Sequence, residues 1–267
     1  MTIQTGPNLA GQRVLITGAS GGVGGGIARA FAAAGARLAL HYRGASQSSN
    51  DTMGALMREL RDAGAEVELV RADLTDPGAA RALIAAATAA LGGLDGLVNN
   101  AGVQPVTPLA ETARSEWDEV LDTNLGAVFE LSQAAAAVMA NDRERHAARD
   151  RWITHIASIE ASRPSPAHAH YAAAKAGLVM HARAAALELG PSGIRVNTVS
   201  PGLVDRPGLA QDWPAGVESW LSHAPLGRLA TPADIGGACV LLASPGASFI
   251  TGQDLAVDGG MLATPGW

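Results

Sequence analysis

Short apolar runs and longer helical stretches alternate from one end of this sequence to the other. The runs are Arg13–Thr17, Arg37–Tyr42, Val67–Arg71, Gly96–Asn99, Trp152–Ala157, Arg195–Ser200 and Leu255–Val257. They are apolar throughout instead of at every second residue, which is how strands covered on both faces read. Helical patterns fill the intervals near 24–35, 52–64, 77–91, 113–140, 168–189 and 232–243. Gly35, Gly64 and Gly190 close three of them, where a left-handed cap suits glycine. Strand–helix alternation of this kind predicts an α/β fold, a doubly wound, seven-stranded parallel sheet with helices on both faces.

The chain has 267 residues, enough for one large α/β domain or two small ones and for a sizeable core. Neither an internal repeat nor an interdomain linker appears, so 1–267 reads as one domain. Two segments break the rhythm. Residues 141–151 are charge-rich and read as a solvated helix end or loop. Residues 202–225 hold three prolines and two tryptophans and are too long for an ordinary connection, which predicts a lid over a substrate. Trp213 and Trp220 flank Pro214 there. A helix over 215–222 would put Trp220 and Val217 on one face, closing over an apolar substrate or anchoring the lid on the body.

Composition excludes several classes. A net charge of −6 and a pI near 5.6 give nucleic acid nothing to bind. No apolar run approaches membrane-helix length, and the polar N-terminus lacks a signal peptide's apolar region. The one cysteine, Cys239, lies in the run ACVLLA and reads as a buried helical thiol. No intrachain disulfide is possible, in keeping with a reducing, cytoplasmic setting. No histidine, cysteine or carboxylate cluster has metal-ligand spacing, so no metal is expected.

The first strand runs into Thr17-Gly18-Ala19-Ser20-Gly21-Gly22-Val23-Gly24 and then a helix. Glycines there permit a tight turn and let the backbone approach a pyrophosphate, which the helix N-terminus then faces. Gly25 and Gly26 exceed what the turn needs; each costs about 1 kcal/mol in a helix relative to alanine, and close helix–sheet packing or drift would explain them. The second strand ends His41-Tyr42-Arg43-Gly44-Ala45-Ser46 with no acid to hold a ribose diol. Arg43 can pair with a 2′-phosphate and Ser46 can donate to it, so NADP(H) is expected over NAD(H). Asp73, followed by Leu74, ends the third strand where a carboxylate can accept from an adenine amino group, while Asp76 suits the cap of the next helix. Asn99-Asn100-Ala101-Gly102 ends the fourth strand, at the edge where such sheets bind ligands.

Tyr171 and Lys175 are four residues apart in YAAAK, and Ser158 is thirteen upstream of the tyrosine. Residues i and i+4 share a helix face, so Lys175 can lie beneath the phenol. A tyrosine titrates near 10 and needs a fixed positive charge to exchange protons at neutral pH.

The glycine turn, the NNAG segment, Asn124, Ser158, YAAAK and Pro201-Gly202 together resemble the short-chain dehydrogenase/reductase family in its short single-domain form, over about residues 9–261 through Asp258-Gly259-Gly260. Neither the turn spacing nor the Tyr–Lys spacing looks like the extended epimerases or the enoyl reductases of that superfamily. The resemblance implies a Rossmann-type fold and a homotetramer pairing the 113–140 and 168–189 helices between subunits. It also implies roles. Ser158 would bind the substrate oxygen, Tyr171 would transfer the proton, and Lys175 would hold the nicotinamide ribose and lower the tyrosine pKa. Asn124 would hold a water leading to solvent. Gly18, Ser20, Gly22, Val23, Gly24, Tyr42, Arg43, Ser46, Asp73 and Leu74 would contact the nucleotide, as would Asn100, Ala101, Gly102, Pro201, Gly202 and Val204. The hydride would be the 4-pro-S one.

The chain departs from the family after Pro201-Gly202, where a threonine often contacts the carboxamide and Arg206 stands instead. The contact then falls to backbone such as Val204, and Arg206 is a candidate for an anionic substrate or the cofactor phosphates. Glu160, two residues past Ser158, falls at the expected pocket wall, and with Gln104 suggests a polar or hydroxylated substrate. His168 and His170 precede Tyr171, and either could line the mouth or pack locally; His155 reads as core. The reading is an NADPH-dependent ketoreductase similar to 3-oxoacyl-carrier-protein reductases. The alternatives are a dehydrogenase of a sugar or cyclic secondary alcohol and a dinucleotide-sensing regulator that performs no catalysis.

Overall fold

The structure is a computed structural model, and it describes residues 7–143 and 149–264. The N-terminal segment and part of the charge-rich 141–151 stretch lie outside the described residues. Seven strands form one sheet: β1 (Arg13–Ile16), β2 (Arg37–Tyr42), β3 (Val67–Arg71), β4 (Gly96–Asn99), β5 (Arg151–Ile156), β6 (Ile194–Pro201) and β7 (Asp254–Val257). All pairings are parallel, in the order β3-β2-β1-β4-β5-β6-β7. The chain reverses its direction of travel between β1 and β4, and the crevice outside their C-terminal ends is where an open α/β sheet takes a ligand.

Helices cover both faces: α1 (Gly22–Ala33), α2 (Gln47–Asp62), α3 (Ala79–Leu91), α4 (Arg114–Leu121), α5 (Ala127–Arg143), α6 (Ala169–Leu189) and α9 (Pro232–Ala243). The 202–225 segment carries its own short helices, α7 (Leu209–Asp212) and α8 (Pro214–His223). β1, β4, β5 and β6 are buried along their whole length, which is why their sequences show no alternation. The apolar clusters on the two faces account for most of the driving force, at about 25 cal/mol per Å² buried.

Glycines set the closest approaches. A Cβ on Gly26 would lie 2.3 Å from the Pro232 side chain and one on Gly236 2.7 Å from Ala30 Cβ. The extra glycines of α1 therefore serve helix–helix contact with α9, not helix–sheet packing. Only Gly26 is sterically required; a Cβ on Gly25 would meet the end of the flexible Arg29 side chain at 3.3 Å.

The structure corrects four local expectations. The 113–140 helix is broken by a π-turn at Asp122–Gly126, because Asn124 is pulled inward by two hydrogen bonds to Val103. Gly190 is right-handed: the chain continues into a turn at Gly190–Ser192, and Gly193 takes the left-handed position at φ 70°. Gly78 (φ 80°), not Asp76, is the N-cap of α3; Asp76 contributes its carbonyl, which accepts from Ala79 N. Helix α2 begins earlier than expected because Ser46 Oγ caps it, accepting from Ser49 N. Cys239 is fully buried and its thiol is pushed up to about 12 by burial, as expected of a core residue.

Candidate active site

The glycine turn is held from below and from the side. Thr17 Oγ1 accepts from Asn100 N (2.9 Å) and Ala101 N (3.0 Å), while Asn100 Nδ2 donates to the carbonyls of Thr17 (2.9 Å) and Gly18 (3.1 Å). Gly18 is left-handed at φ 65°. A Cβ on Gly24 would lie 2.3 Å from Gly18 O, so no other residue fits there. His41, which the sequence reading passed over, is buried under the turn. Gly18 N donates to its Nδ1 (3.3 Å), so the ring proton sits on Nε2 and reaches Ala72 O (3.1 Å). Desolvation lowers its pKa, which keeps this tautomer neutral. Thr17 and His41 are signalled in sequence only as polar residues inside apolar strands.

Helix α1 starts at Gly22 with no side chain capping it and no acid in its first turn. Its first N–H groups, near Ser20, Gly22 and Val23, are thus available to an anion. Tyr42 and Arg43 end β2, and Arg43 is exposed. Arg71 Nε donates to Arg43 O (3.1 Å) across left-handed Gly44, so a second arginine borders the same corner as Ser46. Asp73, whose pKa is lowered mainly by hydrogen bonds from Thr75, spends Oδ1 on Thr75 N and Oγ1. Leu74 follows it, half-buried. This cradle, with a glycine where a Cβ would fill it, an open helix N-terminus and basic side chains at the β2 edge, fits a dinucleotide.

Ser158 follows β5, and its Oγ accepts from Glu160 N (3.1 Å). Tyr171, in the first turn of α6, lies close enough to Ser158 for that hydroxyl to favour its phenolate. One turn on, Lys175 is buried; its Nζ donates to Ile156 O (2.7 Å) and lies 5.5 Å from the Tyr171 ring centre. Asn124 uses its whole amide on Val103: Oδ1 accepts from N (2.8 Å) and Nδ2 donates to O (2.8 Å). A Cβ on Gly102 would come 2.7 Å from Asn124 Oδ1 and 3.8 Å from Lys175 Nζ, so only glycine lets these three converge.

The expected lowering of the tyrosine pKa by the lysine is absent within the protein itself. Burial pushes Tyr171 up to about 12; the Ser158 hydrogen bond lowers it and the Glu160 charge raises it further. Burial also pushes Lys175 down to about 8, weakening it as a cation. Both shifts have one cause, the cost of charge in a dry site.

At the β6 end, Gly202 N donates to Val257 O (3.0 Å) just past Pro201. Val204 forms a parallel bridge with Ala230 that uses Leu203 O and Asp205 N, leaving Val204's own N–H and C=O facing the other way. Trp220 lies against Gly202 and Val217 is buried, so α8 anchors on the body; Trp213 is exposed and covers Gly216. Arg206 pairs with Asp212 (2.7 Å) on the solvent side of the lid. Glu160 is committed to its own chain: Oε2 meets His168 Nδ1 (2.9 Å) and Oε1 accepts from Gln104 Nε2 (3.1 Å). His170 is fully buried and accepts from Tyr171 N (2.9 Å), and His155 is core.

Comparison with known proteins bears on this arrangement. A family model described as enoyl-(acyl carrier protein) reductase matches residues 18–262. The chain is 35% identical to 3beta-hydroxysteroid dehydrogenase 1 of Eggerthella lenta, over 97% of each. It is also 35% identical to the 3-oxoacyl-[acyl-carrier-protein] reductase of Chlamydia muridarum, over 95% of this chain and 98% of that one. A short-chain glucose/ribitol dehydrogenase from Brucella melitensis superposes with a TM-score of 0.85 at 31% identity, covering 96% of this chain and 98% of that one.

Proposed function

Because the chain belongs to the short-chain dehydrogenase/reductase family, and is therefore an NAD(P)-dependent short-chain oxidoreductase, we propose that it is an NADPH-dependent ketoreductase. It reduces a carbonyl to a secondary alcohol, in the manner named for 3-oxoacyl-carrier-protein reductases. The observation that carries this is the convergence of Ser158, Tyr171 and buried Lys175, with the lysine one helical turn past the tyrosine.

The nucleotide supplies or accepts the hydride when bound. Ser158 and Tyr171 hold the carbonyl oxygen, and Tyr171 delivers the proton to it. That delivery suits a phenol kept protonated by burial. In the reverse direction the phenol must lose its proton, and a nearby positive charge favours the phenolate. Lys175, pinned by Ile156 O, keeps its charge near the ring and, in this reading, binds the ribose. Asn124's side chain is held by Val103 through one donor and one acceptor, and in this reading the water assigned to it meets its backbone. The inserted residue of the π-turn leaves that stretch one helical hydrogen bond short. Gly18, Ser20, Gly22, Val23 and Gly24 cradle the pyrophosphate. Asp73 and Leu74 border the adenine. Asn100, Ala101, Gly102, Pro201, Gly202 and the free backbone of Val204 border the nicotinamide.

NADP(H) is preferred over NAD(H), supported by Arg43, Arg71 and Ser46 around one corner and no acid there. We place the enzyme in the cytoplasm as a homotetramer; exposed Phe129, Met180 and Leu187 on α5 and α6 favour helix pairing between subunits. A second reading, oxidation of a sugar or cyclic secondary alcohol, is favoured by the Glu160–Gln104–His168 cluster beside Tyr171. The test is nicotinamide absorbance with NADPH and NADH against a carbonyl panel and, in reverse, a panel of sugars and cyclic alcohols. Tight nucleotide binding with no turnover on any member would point instead to a sensor.

A further inference from the structure

Glu160, His168 and Gln104 form a cluster to which the ketoreductase mechanism assigns no role. Three segments meet at the Glu160 carboxylate. His168 Nδ1 lies 2.9 Å from Oε2 and 3.2 Å from Oε1, Gln104 Nε2 donates to Oε1 at 3.1 Å, and Ser165 N donates to Oε2 at 3.4 Å. The Glu160 side chain is only 12% exposed. Its acceptor sites are taken, so it is a poor direct ligand for substrate.

Its effect falls on His168. A carboxylate only accepts, so His168 Nδ1 must donate and carries the proton of the neutral ring. Nε2 is then a lone-pair acceptor. It makes no hydrogen bond to any described residue, and the side chain is 15% exposed. The ring stands edge-on to Tyr171 with centroids 6.1 Å apart. Its backbone is held too: Ala167, the one non-glycine among the described residues with positive φ (63°), accepts from Thr107 N through its carbonyl. A strained residue kept by its surroundings marks a position under constraint.

We propose that His168, oriented by Glu160, determines specificity by accepting a hydrogen bond at Nε2 from a hydroxyl group close to the reacting carbon. The preferred substrate class is then the hydroxyketone and its vicinal diol. This rests on the oxidoreductase reading with Tyr171 as the proton-transfer residue. Glu160 is a positioning residue, acting only through the imidazole.

The experiment compares cyclohexanone with its alpha-hydroxy derivative. The wild type should favour the hydroxyketone in kcat/KM by about tenfold, the size of one partly exposed hydrogen bond. His168→Phe keeps an aromatic edge on Tyr171 and should bring that ratio near one. Nitrogen NMR of the wild type should find the neutral His168 proton on Nδ1, moving to Nε2 in Glu160→Ala. His168 resonances should also shift when the hydroxyketone, but not cyclohexanone, is added in the absence of nucleotide, where no hydride can be exchanged. An unchanged ratio in His168→Phe, a wild-type proton on Nε2, or equal shifts with both ketones would each overturn the proposal. Failure to oxidise NADPH with either ketone would count against the ketoreductase reading, while the NMR arm still decides on His168.

Discussion

The glycine-turn cradle and the 202–225 segment sit on the same sheet edge yet are built differently. In the cradle, backbone meets backbone: Gly18, Gly24, Asn100 and Thr17 leave no room for an added carbon. In the 202–225 segment, helix α8 rests on the body through Trp220 and Val217, and charges pair outward, as Arg206 does with Asp212. A site that must fit one constant ligand can be rigid and sterically exclusive. A site that must fit a particular substrate is made of side chains that can change without moving the frame.

Substitutions can break that contrast. Tyr171→Phe, at the meeting point of the two regions, should lower kcat about 10³-fold, within the range for losing a general acid, while the nucleotide Kd from fluorescence titration stays within about twofold. Retained activity would end the proposed mechanism. Gly24→Ala puts a Cβ 2.3 Å from Gly18 O; overpacking should cost about 1–3 kcal/mol and weaken nucleotide binding at least about tenfold. Gly26→Ala, against Pro232, should lower the Tm comparably but leave nucleotide affinity in the surviving folded protein unchanged. Arg43→Glu should lower the NADPH-to-NADH ratio of kcat/KM by about tenfold or more, since a carboxylate repels the 2′-phosphate that an arginine pairs. An unchanged ratio would remove Arg43 from that role. Arg206→Ala should shift stability by less than about 0.5 kcal/mol and leave both KM values unaltered, as for an exposed ion pair.

Titration sharpens the same comparison. The chain has two tyrosines, Tyr42 and Tyr171, so Tyr42→Phe isolates one phenol. Burial favours the neutral form and raises its pKa to about 12. The Tyr171 phenolate band should therefore be nearly absent at about pH 10, where an ordinary tyrosine is half ionised. Oxidised nucleotide adds a positive charge, favours the phenolate and should bring the band to lower pH. No movement of the band on adding NADP+ would show that bound charge does not control the phenol.

Most of the fold was legible in sequence because strands buried on both faces leave uninterrupted apolar runs, and β2, β3 and β4 begin and end where those runs do. One element misread because a contact distant in sequence decides it, and the others misread at local choices of cap. The π-turn at Asn124 exists because Val103, twenty-one residues earlier, captures its amide. Gly190 looked like a cap, but the chain could tighten through Pro191 and turn at Gly193 instead.

The Ser–Tyr–Lys spacing and the glycine turn were sequence facts, because a helix brings i and i+4 together and a strand–turn–helix needs glycine at its bend. Those local rules settled the fold class and the family. What surrounds the chemistry was left to tertiary structure. Burial, a property of the whole packed chain, turned a lysine expected to acidify the tyrosine into a weakened cation beside a phenol that holds its proton. Glu160 and His168, eight residues apart and on no common helix, became partners only because the β5 exit and the start of α6 fold back on each other.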